Sequence, residues 1–176
     1  MLTRRAWAAL VPGAALSLCW PRAARSASSR ELFTLGRSTN ANVLKYAVRA
    51  GKSGQVDPAN PVEAYWLMLA EDGRREELTW AERQLAYGFS VSALTSDSFK
   101  LRLTACSTRE LRVRAVNGAF SAELEIARQP ALLQRIFVRM EDHSLLPSVR
   151  HVDVFGLTAD GRRVSERIAP RRPARF

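Results

Sequence analysis

"LRVRAVNGAFSAELEI", Leu111–Ile126, is the stretch on which the fold turns. Two runs of alternating apolar and polar residues flank Asn117-Gly118, a pair that tolerates the positive φ of both central positions in a type I′ hairpin turn. A two-residue loop allows one register: Val116 opposite Ala119, Ala115 opposite Phe120, Val113 opposite Ala122 and Leu111 opposite Leu124. The apolar members of the last three pairs share one face, while Arg112 meets Glu123 on the other. If "LLQRIFVRM" returns after Pro130 with Ile126 opposite Leu132, Arg135 falls on the far side of Glu123. Such a charged row contributes about 0.2–1 kcal/mol per pair and sets register on a wet face.

The same two-residue period extends in both directions. Phe99, Leu101, Leu103 and Ala105 point one way and Lys100, Arg102 and Thr104 the other, the pattern of a half-buried antiparallel strand. Further strands are expected at 31–35, 43–49, 62–69, 89–94, 149–157 and 163–168. Turn signals separate them at 51–54, at "DPANP" (57–61), at Asp72-Gly73 and at Asp160-Gly161. One segment breaks the period: "LTWAERQLAYG" carries Thr79 and Glu82 in capping-box spacing and Gly88 at a C′ position. Its inward stripe would be Trp80, Ala81, Leu85 and Tyr87. The expectation is a mainly β domain, an antiparallel β-barrel or β-sandwich of about nine or ten strands with one short α-helix closing an end or edge.

The N-terminus reads as an address. Arg4 and Arg5 precede an uncharged run from Ala6 to Trp20, and small residues follow at Ala23, Ala24, Ser26 and Ala27, the layout of a cleavable export signal over residues 1–26. The run is broken by Pro12 and Gly13 and falls short of the roughly 20 residues that span a bilayer as a helix. Thr3-Arg4-Arg5 also has the look of a twin-arginine signal. The expected location is therefore periplasmic or secreted. Residues 27–170 form the single β-rich domain and 171–176 a disordered basic tail.

The formal net charge is +10, from 27 Lys and Arg against 17 Asp and Glu. Removing the leader takes away four arginines and no acid, leaving +6, and much of that lies in the Pro/Arg terminus. The body is nearly balanced, so no nucleic-acid partner is expected, and the tail offers only a weak contact with an anionic surface. With Cys19 lost, Cys106 stands alone and no internal disulfide forms. Stability must come from burial, which a single domain of this length supplies.

"ELFTLGRSTNANVLKYAV", "NPVEAYWLML", "ELTWAERQLAYGF" and "VDVFGLTADGRRVSERI" resemble domain-of-unknown-function family 4833 over nearly all of residues 31–170. The resemblance implies an exported single-domain protein without an established reaction, and it supplies no catalytic residues.

Candidate chemistry is sparse. Cys106 with His143 or His151 has the ingredients of a thiol nucleophile and base, but an isolated cysteine in a turn-like stretch is more often an inert small residue. His151, Asp153 and Glu141-Asp142-His143 match no common metal-ligand spacing, so no metal site and no cofactor are expected. Glu63 shares a strand face with Tyr65 in "NPVEAYWLML", where both faces are apolar enough to suggest a cavity. A buried Glu63 would require a partner such as Arg37 or Lys45. Tyr46, Tyr65, Trp66, Trp80, Tyr87 and Phe89 would serve as core or as a pocket lining. Between two strands, Gly36–Asn42 forms a turn, or a rim loop presenting Arg37 and the two asparagines.

Arg37, Asn40, Asn42, Glu63 and Tyr65 are thus the ligand-binding candidates of a non-enzymatic domain that takes a small or envelope-derived ligand. Two alternatives stand: an acid/base enzyme using Glu63 or Glu82 on a polar substrate, and a structural envelope component that associates through a strand edge.

Overall fold

The computed structural model describes residues 30–49, 55–116, 119–141 and 148–170. Residues 1–26, the tail 171–176, the turn Asn117-Gly118, the Gly51–Gly54 turn and His143 lie outside the described residues.

Among the described residues eleven strands form one sheet: β1 (Glu31–Arg37), β2 (Asn40–Val48), β3 (Val62–Leu67), β4 (Arg75–Glu77), β5 (Phe89–Ser92), β6 (Ser98–Leu103), β7 (Glu110–Val116), β8 (Ala119–Ile126), β9 (Gln129–Met140), β10 (Val149–Leu157) and β11 (Arg163–Ile168). Its spine is β9, twelve residues and roughly 40 Å long. Leu132 pairs with Glu123 of β8 and Leu157 of β10, so these two strands lie on opposite edges of the spine. Further along, β1 takes the edge that β8 has left, pairing Thr34–Arg37 with Arg135–Val138 in parallel. Two arms therefore leave one edge, β1-β2-β3-β4 and β8-β7-β6-β5, and the β10–β11 hairpin leaves the other.

The arms curl toward each other and enclose the core. Phe33 stacks on Tyr46 with centroids 4.6 Å apart, and Tyr46 meets Phe89 of the opposite arm edge-on at 6.2 Å. Leu44, Val48, Phe99, Leu101, Val113, Ile126 and Leu133 complete the fully buried set. Each such side chain stabilises the fold by about 1.5–3 kcal/mol relative to exposure. The result is a mainly β, curled and open half-barrel with one short helix. It corrects the expectation of a closed barrel of nine or ten antiparallel strands and does not establish a sandwich. The β1–β9 contact is parallel, and β9 is long enough to accept β8 and β1 in succession on one edge.

The β7–β8 hairpin has the expected register from Val116↔Ala119 to Val113↔Ala122, with Leu111, Val113, Phe120 and Ala122 buried. The return strand does not follow expectation. Ile126 faces Gln129 across a two-residue turn at Ala127-Arg128, three positions from the expected partner Leu132. Glu123 accordingly takes Arg114 as its ion-pair partner, with Nε at 2.7 Å, and Arg135 lies elsewhere. Neither Ala127 nor Arg128 is a residue type that marks a turn, yet both have positive φ, 50° and 63°. The Glu166 carboxylate accepts the Ala127 N–H at 2.9 Å, a partner from a distant strand that no local pattern reveals.

Other strand ends also differ. β6 stops at Leu103, and Thr104–Cys106 forms a 3₁₀ turn that takes Ala105 out of the inward row. β3 buries Val62, Ala64 and Trp66 and leaves Glu63, Tyr65 and Leu67 half-exposed, so one of its faces is core and the other is not. "GRSTNAN" is mostly strand rather than loop: β1 runs to Arg37 and β2 begins at Asn40, leaving Ser38-Thr39 as the turn.

The helix begins as its capping box dictates. Thr79 Oγ1 accepts the Glu82 amide at 3.3 Å, and Glu82 accepts the Thr79 amide at 2.9 Å. Helix α1 (Trp80–Glu82) passes directly into a π-helical turn, Arg83–Tyr87. The expected stripe does not face inward: Trp80, on α1, and Leu85, in the π turn, are 77% and 80% exposed, and of the four only Tyr87 packs on the core. Gly88 is extended rather than left-handed, and it is required for a different reason: a Cβ there would lie 1.9 Å from the Arg83 carbonyl oxygen.

Candidate functional site

The five expected ligand contacts separate onto different parts of the first arm. Asn40 closes an asparagine turn, its Oδ1 accepting the Asn42 amide at 3.1 Å. Asn42 is buried and accepts the Ala70 amide at 2.9 Å, tying β2 to the turn after β3. Both amides therefore hold backbone. Glu63 faces outward and pairs with Arg49 and Arg75, each at 3.2 Å, rather than with Arg37 or Lys45. The Arg75 guanidinium also covers the Tyr65 ring at 3.8 Å. Glu63 and Tyr65 thus form an outer cluster with two arginines.

Arg37 lies apart from them, at the end of β1 beside the π turn. Its guanidinium carbon sits 4.6 Å from the Trp66 ring centroid and 5.8 Å from that of Tyr87, and Nη1 donates to the Tyr87 hydroxyl at 3.2 Å. Trp66 and Tyr87 meet edge-on at 5.3 Å, framing the cation. Trp66 Nε1 donates to Glu82 Oε1 at 2.9 Å, so the helix cap and the aromatic frame share one carboxylate. Partial burial works to raise the Glu82 pKa, but the Thr79 amide and hydroxyl, the Trp66 indole and the Arg37 charge together hold it below the ordinary carboxylate value. Beneath the frame, the Tyr46 hydroxyl donates to the Tyr87 carbonyl at 2.9 Å, and burial with the neighbouring Tyr87 pushes its pKa far up, leaving it neutral.

Arg37 Nε is buried without a hydrogen-bond partner, and among the described residues no carboxylate forms an ion pair with this guanidinium. A cation in that state interacts favourably with the ring faces, by about 0.5–2 kcal/mol, while its hydrogen-bonding capacity is largely unspent.

A second concavity was not foreseen. An open cleft of about 660 Å³ is lined by Arg109, Glu110, Leu124, Glu125, Ala127, Arg128 and Glu166. At its centre Arg109 holds Glu166 through both oxygens, and the Arg109 hydrogen bonds followed by that of the Ala127 amide bring the Glu166 pKa down to about 2. Such a carboxylate is a fixed anion across the physiological range and is not a proton donor. Arg109 and Glu166 lie 57 positions apart, and no local spacing links them.

His151 and Asp153 do share a face, with Nε2 to Oδ2 at 3.3 Å, but Asp153 also binds Arg167 at 2.7 Å. Among the described residues no group of three or more His, Cys, Asp or Glu is placed to hold a metal ion. Cys106 is a free, half-buried thiol.

No curated protein and no solved structure gives a significant match to this chain. The family described as Domain of unknown function (DUF4833) matches residues 33–167, from the first core phenylalanine to the Arg167 partner of Asp153. That span contains the whole half-barrel apart from its terminal residues, and the chain belongs to the DUF4833 family.

Proposed function

We propose that this is an exported, non-catalytic binding domain that takes the carboxylate or phosphate group of a small or envelope-derived molecule at Arg37. One observation carries the reading: a guanidinium framed by the Trp66 and Tyr87 rings, with a buried Nε that has no hydrogen-bond partner and, among the described residues, no carboxylate in ion-pair contact. The Glu82 carboxylate feels this charge without bonding the guanidinium, and an incoming anion with acceptor oxygens would supply the missing bonds while the rings fix its approach. Among the five expected contacts, Arg37 has the chemistry, while Asn40 and Asn42 shape the strand pair that positions it.

The acid/base alternative is less well supported. Glu82 is drawn below its ordinary pKa by its donors, and Glu63 is shared between two arginines. Association through a strand edge draws on the open ends of the sheet. However, of the three open edges β4 and β5 are only three and four residues long, as expected of edges that resist pairing, while β11 has six.

The test is native mass spectrometry of the protein purified from its own host. A retained anionic adduct in the wild type, lost in Arg37→Gln, is the expected result. A wild-type spectrum free of adducts, or an adduct indifferent to the substitution, would refute the reading.

A further inference from the structure

The outer face of the spine carries a second kind of surface. Strand pairing aligns Tyr65, Lys45, Thr34, Arg135 and Phe155 in one outward row across β3, β2, β1, β9 and β10. The next row along β9 holds Gly36, Phe137, Asp153 and Arg167, and the one beyond it pairs Arg139 with His151. Gly36 matters here because a Cβ would come within 3.3 Å of the Phe137 ring. The ring lies against the glycine and is flanked by two guanidinium groups, Arg135 at 4.9 Å and Arg139 at 5.7 Å.

Most charges on this face cancel. Lys45 pairs with Glu31 at 2.6 Å, and Arg167 and His151 both pair with Asp153. Arg135 and Arg139 are exposed, and among the described residues neither has a carboxylate partner. The face therefore presents two uncompensated cations on one strand, about 13 Å apart at four residues' rise. Phe155, 38% exposed, lies directly beside Arg135.

We propose that this outer face docks on an anionic lipid surface, with Arg135 and Arg139 on headgroup phosphates and Phe155 at the acyl boundary. A sheet face suits a planar partner, and guanidinium groups backed by rings match an interface that is charged above and apolar below. The exposed ring favours lipid over a fully polar polyanion, from which Phe155 would gain no desolvation. The inference is independent of ligand binding at Arg37, which lies on the other side of β1.

Vesicle sedimentation of the full chain tests it, with phosphatidylcholine vesicles with and without phosphatidylglycerol as the probe. The wild type should bind the anionic vesicles selectively and release at high salt. Arg135→Gln/Arg139→Gln should bind about 30-fold more weakly, the combined effect of removing two arginines from an anionic surface. Arg135→Lys/Arg139→Lys should retain most binding. Equal binding to neutral vesicles, or a double Gln variant that binds like the wild type, overturns the proposal. So does saturable binding of glycerophosphate or a DNA duplex, lost in the same variants, without vesicle binding. An unchanged near-ultraviolet dichroism spectrum shows that each variant remains folded.

Discussion

Arg109 holds Glu166 through both carboxylate oxygens, and the same carboxylate accepts the Ala127 amide. One side chain of β11 thereby joins the start of β7 to the turn after β8, and it closes the β10–β11 hairpin over the end of the second arm.

The pH dependence of that clasp follows from its sign. Glu166 titrates near 4.5 when free and at about 2 in the folded protein. Its contribution is therefore complete above about pH 4.5 and is lost as pH falls toward 2. Glu166→Gln should cost about 1–3 kcal/mol at neutral pH and progressively less as the medium is acidified. Urea unfolding of both proteins at pH 7 and pH 2.5 measures this, and an equal penalty at the two values would exclude the ionised pair as the source.

The Ala127-Arg128 turn stores backbone strain. Both residues are left-handed, a conformation that Asn and Gly adopt more readily. Replacing the pair with Asn-Gly should raise stability by about 1 kcal/mol, visible as an increase in Tm. A lower Tm would mean that Arg128 contributes contacts in the cleft that outweigh its strain.

Gly88 admits no side chain. Gly88→Ala would force a methyl against the Arg83 carbonyl at the end of the π turn, where the nearest heavy atom is backbone and cannot swing away. A loss of about 3 kcal/mol is expected, with displacement of Tyr87 and hence weaker seating of Arg37. Thermal unfolding together with Tyr87 ring signals in NMR would report both effects, and a neutral substitution would show that the π turn is not held as described.

Legibility differed from place to place in the chain. The hairpin at Leu111–Ile126 was readable because Asn117-Gly118 and strict alternation encode turn and register within sixteen residues. The helix cap was readable for the same reason, since Thr79 and Glu82 are three residues apart. The Ala127-Arg128 turn was not, because its stabilising partner, Glu166, comes from a strand 39 positions away. The Arg37 site was half visible: Arg37 stood out as a candidate, and Trp66 and Tyr87 as aromatics, but nothing local says that β1, β3 and the π turn meet. Glu63 and Tyr65 fell on the opposite face of that arm, because burial of Trp66 commits alternate residues of β3 outward.

The amino-acid sequence alone determined most of the strands, the β7–β8 register and the helix cap, because strand periodicity, turn chemistry and capping act over a few residues. The tertiary structure decided how β9 shares its edge between β8 and β1, that the sheet curls without closing, and which charges remain unpaired. Those outcomes depend on contacts between distant residues, whose energies emerge only once the arms have folded over a common core.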